Sequence, residues 1–347
     1  MSRRLSSCLE GRDNNFKLLR FGAATAVFVS HCPGIAGLGV ISLTTLLGYV
    51  AVNAFFLISG FLVTSSLYAR RSILKFGLSR VLRVYPALIL AVLYSVFILG
   101  MNLGSLTISD YIVDPLTLDY TLKNMLQWLR PVPLLLPGLD WNPVNAPLWT
   151  LPYELDMYLL LGLIGWLAIA FQGRFAKPVW VVYGVMVLLA SALYFADYSF
   201  NFDGYGLGSD RNYLRFLSMF GIGVLMFILR DRIVLKGHYI LVIVALIVLS
   251  SPLRIAFVTL AYGTLGYVLL YLAYIPGGLL RQFNRLGDYS YGVYIFGYPT
   301  QKAVMAWWPA INVIELFLIS FSITLLISMA SWHLLERPAL HLKRRFS

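Results

Sequence analysis

Charge is what this chain has least of. Only 12% of its 347 residues are Asp, Glu, Lys or Arg, against 59% hydrophobic, and the mean hydropathy is +0.78. A soluble domain of that composition could not cover its apolar side chains with a polar surface. Cysteine is scarce as well. Cys8 and Cys32 fall at opposite ends of the first apolar stretch, which argues against a disulfide within the chain. The four histidines, His31, His238, His333 and His341, share no ligand-like spacing with each other or with cysteine, so a metal site is not expected. There is no Gly-Lys phosphate loop and no Rossmann glycine pattern ahead of a helix, which argues against nucleotide hydrolysis. Internal repeats and low-complexity tracts are also missing.

What the chain does have is long apolar runs. Ten segments stand out: 16–36, 44–68, 84–101, 147–170, 178–196, 212–229, 239–251, 255–275, 289–307 and 311–334. Most approach the ~20 residues that a helix rising ~1.5 Å per residue needs to cross a ~30 Å hydrocarbon layer. The expectation is an all-α, polytopic transmembrane helix bundle of about ten helices, forming one integral-membrane domain over 1–347. The seventh segment is too short to cross alone and closes on Ser251-Pro252, so it starts earlier, tilts, or makes a helical hairpin with the eighth.

The net charge of +12 would suggest nucleic acid in a soluble protein, but here the basic residues cluster in short connections. Of 27 Lys and Arg, six (Lys123, Arg130, Arg211, Arg215, Arg254 and Lys302) fall at one set of alternating helix ends and 21 at the other. By the positive-inside rule the richer set is cytoplasmic, which puts both N- and C-termini inside a cytoplasmic (inner) membrane. A basic stretch before an apolar one at the N-terminus resembles a signal peptide, but it lacks a clear small-residue cleavage site, so a retained first helix is expected. Two outer loops follow. The longer, about 102–146, is proline-rich with a short helix expected over 121–129; the other, 197–212, carries Gly, Asp and Tyr suited to turns or to polar contacts.

Ionisable groups inside a bilayer are costly and are functional candidates. Arg20 and His31 lie eleven residues apart, three helical turns and about 16 Å along one face, which would put His31 near mid-membrane. A neutral imidazole there can take a proton from a hydroxyl; it can equally serve as a hydrogen-bonded structural group between helices. Glu154 opens the fourth segment and shares a face with Tyr158, while Asp156 points about 200° away. Between the second and third segments, RRSILKFGLSRVLRVYP places Arg80 and Arg83 on one face if it is helical. Paired guanidiniums there suit a nucleotide diphosphate, and orientation or anionic-lipid contact would use the same charges. Asn53, Ser59 and Gly60 break an apolar helix, with close packing the ordinary role of the glycine. Tyr291, Tyr294 and Tyr298 form one hydroxyl-bearing face ending at Pro299 and Gln301.

Four elements in order resemble the membrane-bound acyltransferase 3 family, whose members O-acetylate bacterial cell-surface carbohydrates. They are Arg20 to His31; NAFFLISGFL with KFGLSRVLRVYP; APLWTLPYELDMY; and LGDYSYGVYIFGYP with the terminal LLERP. The resemblance implies an O-acyltransferase that takes an acetyl group from cytoplasmic acetyl-CoA to an extracytoplasmic or lipid-linked carbohydrate. Acetyl-CoA is the donor substrate, and no bound cofactor is implied. His31 and Glu154 are the expected catalytic pair. Arg20, Arg80, Arg83 and Ser59 are expected on the acyl-CoA, and Asn53, Trp149 and Tyr291 on the acceptor. The implied partners are acyl-CoA, a carbohydrate and membrane lipids, with no nucleic acid and with a homo-oligomer left open. Two departures stand out: Gly297 occupies a position where many members carry a second histidine, and no hydrolase-like domain follows the last helix, so the membrane unit is expected to transfer the acyl group unaided. A proton-coupled transporter or flippase of a glycan or lipid-linked sugar is the competing reading.

Overall fold

The computed structural model describes residues 2–11, 13–39, 41–70, 72–127, 135–139, 143–170, 176–200 and 209–342. Eleven helices carry the architecture: α1 (Phe16–Ile35), α2 (Ser42–Arg70), α3 (Ile73–Leu93), α4 (Pro115–Leu126), α5 (Leu151–Ala170), α6 (Ala176–Phe200), α7 (Ser209–Ile228), α8 (Gly237–Ser250), α9 (Arg254–Tyr274), α10 (Ser290–Trp307) and α11 (Val313–Ser331). α3 continues as a π-helix over Tyr94–Gly100, a 3-10 turn over Ala146–Thr150 leads into α5, and a π-helical turn over Trp332–Glu336 extends α11 into a short helix, Arg337–Leu342. Two three-residue strands, β1 (Ser2–Arg4) and β2 (Val234–Lys236), pair antiparallel with Arg3 opposite Leu235. The chain is all-α and polytopic. Every apolar segment named from sequence corresponds to a helix.

Seven described helical stretches are long and apolar enough to cross a bilayer: Phe16–Ile35, Ser42–Arg70, Ile73–Leu103, Ala146–Ala168, Lys177–Asp197, Ile255–Tyr274 and Val313–Leu342. α8, with 14 residues, rises only about 21 Å and turns at Ser251 to Leu253 into α9, the hairpin arrangement. Several boundaries moved. The third helix starts at Ile73 rather than 84, so the basic segment with Arg80 and Arg83 is helical; its charges lower the hydropathy without breaking the helical repeat. The outer-loop helix begins at Pro115, with the Asp114 side chain accepting from the Leu116 N–H, and ends at Leu126, so the expected residues 128 and 129 lie outside the described ones. The other outer loop is shortened from both sides as α6 runs to Phe200 and α7 starts at Ser209, with Arg211 paired to Asp197 beside it.

By its contacts the chain gathers into two compact units. One comprises Met1–Arg20, Asn53–Phe76 and Asp156–Leu286. In it Gly60 and Gly223 let the backbones of α2 and α7 touch, since a Cβ on Gly60 would overlap the carbonyl oxygen of Phe220 and one on Gly223 that of Leu57. Small residues are what such close helix approach requires in lipid. Beside this contact Phe56 stacks on Phe216, with ring centroids 4.0 Å apart. The Asn15 amide donates to the carbonyls of Leu272 and Pro276, satisfying groups left open where α9 ends.

The other unit comprises Phe21–Val52, Gly77–Leu155 and Gly287–Ser347. Its centre is α10. Thirteen of that helix's 18 residues are buried, although Tyr, Gly, Pro, Thr and Gln keep it below the hydropathy of a lipid-facing span. A helix that is polar yet buried faces protein, so its hydroxyls and amides are available to partners inside the unit. α11 starts with a capping box, Asn312 accepting from the Ile314 and Glu315 amides while Glu315 accepts from the Asn312 N–H.

Candidate functional site

The expected site residues divide between the units. Arg20, Asn53 and Ser59 belong to the first, where the Ser59 and Tyr158 hydroxyls are 3.2 Å apart. His31, Arg80, Arg83, Trp149, Glu154 and Tyr291 belong to the second.

His31 lies four residues before the end of α1, about 6 Å by helical rise, so it is nearer that end than the middle of the span. α10 holds this turn in place. The edge of one ring meets the face of the other where His31 packs with Tyr298, centroids 4.9 Å apart and planes at 88°. One turn further on, the Gln301 amide donates to the Phe28 carbonyl at 2.9 Å and to the Cys32 sulfur at 3.0 Å. The Lys302 ammonium stands 5.9 Å from the centroid of the same Tyr298 ring. Among the described residues no hydrogen bond occupies the His31 ring. Its nitrogens are therefore available for proton transfer to a substrate.

Glu154 is half-buried in the first turn of α5, where the helix dipole favours a carboxylate. The segment before it is fastened to α10 by a backbone consequence of proline. Pro299 has no N–H to give to the Ile295 carbonyl one turn back, and the Asn145 amide supplies the missing hydrogen bond at 2.9 Å. Five residues later the Thr150 and Tyr294 hydroxyls meet at 2.7 Å. Between these two anchors sits Trp149, its ring edge-on to Tyr153 at 5.8 Å. α10 thus positions both the His31 turn and the Trp149–Glu154 turn.

Arg83, expected on the acyl-CoA, is largely enclosed, its side chain 15% exposed. It donates to Asp288 at 2.8 Å and lies 3.5 Å from Glu336, whose residue is 1% exposed. The rings of Tyr291 and Trp332 flank it at 5.9 and 5.7 Å, and the Tyr291 hydroxyl donates to the Val84 carbonyl. Ser290 and Ser331 donate to the same two carboxylates. Two carboxylates around one guanidinium leave no surplus positive charge for a phosphate, so this cluster ties α3 to the start of α10 and the end of α11. Tyr291, expected on the acceptor, is a wall of that cluster. Arg80, one turn earlier, is half-buried, with its Nε donating to the Ser79 hydroxyl.

Sequence reasoning missed Asn145, Gln301, Asp288 and Glu336 as organisers of the site. The signal was present: each is a polar residue beside or within an apolar run, where an amide or carboxylate needs a partner. Gly297 also acquires a reason. A Cβ there would lie 2.7 Å from the Phe28 ring, itself packed on Phe317 and Phe321, so the volume in front of Gly297 is filled from α1.

A family model described as an acyltransferase domain matches residues 13–333, from just before α1 into the π-helical turn after α11. The chain belongs to the acyltransferase 3 family. Across nearly its whole length it is 25% identical to an O-acetyl transferase of Shigella phage Sf6, covering 94% of this chain and 96% of that protein. Shorter matches link this family member to nodulation protein 10 of Rhizobium leguminosarum bv. viciae (33% over 165 residues, 44% of each chain) and to the acyltransferase MdmB of Streptomyces mycarofaciens (30% over 155 residues, 41% of this chain and 36% of that one). No solved structure matches significantly. The chain is an acyltransferase-family, multi-pass membrane protein.

Proposed function

We propose that this protein is an O-acyltransferase of the cytoplasmic membrane that moves an acetyl group from acetyl-CoA to a carbohydrate hydroxyl. The family match over 13–333 carries the reaction class, and the full-length similarity to a phage O-acetyl transferase favours acetyl as the group and oxygen as the acceptor atom. His31 is the general base: it takes the hydroxyl proton as the oxygen attacks the thioester carbonyl, and the thiolate of CoA leaves. Tyr298 and Gln301 set the orientation of the imidazole's turn, and Glu154, on a segment held by the same helix, orients or charges the imidazole in the reacting complex. Lys302, which shares the Tyr298 ring with His31 as a neighbour, is the cation we assign to the oxyanion that develops on the thioester carbonyl. Arg80 contacts the donor from the basic turn of α3, and Arg83 fixes that turn. Trp149 supplies an aromatic face of the kind that sugars stack on. Arg20, Ser59 and Asn53 keep the donor and acceptor roles the resemblance implies.

His31→Ala is the direct test, read as O-acetyl esters on the surface polysaccharide by proton NMR. The esters are expected to vanish at unchanged protein level; their persistence would sink the assignment. Consumption of radiolabelled acetyl-CoA by purified protein separates this reading from a transporter, which leaves the thioester intact.

A further inference from the structure

The terminal LLERP is a motif for which the proposed reaction has no use, yet the structure splits it in two. The π-helical turn over Trp332–Glu336 rotates Glu336 inward onto Arg83, and the next residue, Arg337, points out. Such π-turns recur at functional sites because they re-aim side chains by one position. Arg337, His333 and His341 follow one another at four-residue spacing and line an open concavity of about 430 Å³ with Pro338 and Leu342. That volume falls in the roughly 300–1,000 Å³ of ligand clefts. Among the described residues Arg337 has no ion pair. The His333 Nε2 is anchored 3.2 Å from the Tyr289 hydroxyl, which fixes one wall. Glu336, the residue before Arg337, contacts Arg83, so the helix that carries this face is tied to the basic turn of α3, where the proposed function puts the donor.

We infer that the His333–Arg337–His341 face is a phosphate-ester site. The reasoning is by charge. Arg83, the expected phosphate ligand, is already neutralised by Asp288 and Glu336, whereas the adjoining face offers a guanidinium fork and two imidazoles in a concavity with an apolar floor. The ligand is a phosphate monoester or diester carried on a larger body, either the phosphates of the CoA donor or the headgroup of an anionic lipid. The first source rests on the proposed function; the second does not.

The test uses the full-length protein in nanodiscs of phosphatidylcholine, with and without phosphatidylglycerol. CoA affinity is measured by calorimetry and retained phosphatidylglycerol by native mass spectrometry. Arg337→Gln, and His333→Gln with His341→Gln, are expected to weaken CoA about ten- to hundredfold if the donor is the occupant, the size of a lost hydrogen bond to a charged group. Unchanged CoA affinity with loss of bound phosphatidylglycerol assigns the site to the lipid headgroup. Arg337→Lys should retain part of either effect, which separates lost recognition from misfolding. If the wild type binds no CoA, the donor assignment fails and the lipid measurement alone decides the site. Unchanged binding of both ligands in folded variants overturns the inference.

Discussion

The Arg83 cluster allows a prediction with a definite size. Arg83→Ala leaves two carboxylates facing each other, one of them on a residue 1% exposed, without their cation. Removing one partner of a buried ion pair costs about 3–5 kcal/mol, because the remaining charge has lost its compensation but not its desolvation. For a protein this size that corresponds to a fall in unfolding temperature on the order of 10 °C. Glu336→Gln should cost less, about 1 kcal/mol, since its 3.5 Å contact with Arg83 is long and a glutamine oxygen can still accept from Ser331. Asp288→Asn falls between, because it removes the charge from the closer, 2.8 Å contact while its amide oxygen can still accept. Replacing all three with apolar residues, Arg83→Met, Asp288→Leu and Glu336→Leu, should recover most of the stability lost in Arg83→Ala, as no buried charge is left over. The assay is thermal unfolding of detergent-purified protein, followed by the fraction that stays monodisperse. Wild-type stability in Arg83→Ala would refute the compensation argument, and a triple variant as weak as the single one would show that the cluster matters through shape rather than charge.

Helix approach at Gly60 and Gly223 gives a second prediction. Gly60→Ala and Gly223→Ala each drive a Cβ into a partner backbone carbonyl and should cost about 1–3 kcal/mol, whereas Gly22→Ala, with nothing within 4 Å of its Cβ, should be neutral or stabilising; equal unfolding temperatures for the three would remove the close-packing account. At Gly297, His substitution alone should reduce folded protein because Phe28 occupies the space, and adding Phe28→Ala should restore it in part. Strictly additive losses in that pair would show that the two positions do not share a volume.

The helices were legible because bilayer thickness sets their length, and apolar runs near twenty residues report it directly. The start of α3 was not, because Arg80 and Arg83 lower hydropathy while leaving the helical repeat intact, and hydropathy cannot tell a charged helix from a charged loop. His31, Glu154 and the α3 arginines could be named as candidates because charge in an apolar setting is rare. Their partners could not: Asp288 is 205 positions from Arg83, and Ile295 is 150 from Asn145, separations that no local pattern spans. The same distance in sequence hides what surrounds Arg83. A guanidinium on an open cytoplasmic turn and one enclosed by two carboxylates have identical sequences around them.

The bond from Asn145 to the carbonyl that Pro299 leaves open also limits how this enzyme can be diversified. The turn bearing Trp149 and Glu154 is keyed to one proline on a helix about 150 residues further along the chain, so neither segment is satisfied without the other. A chimera that imports a relative's 143–154 segment without a matching α10 would leave either an amide or a carbonyl stranded in the interior. Productive exchange of this segment between members should therefore need both pieces moved together.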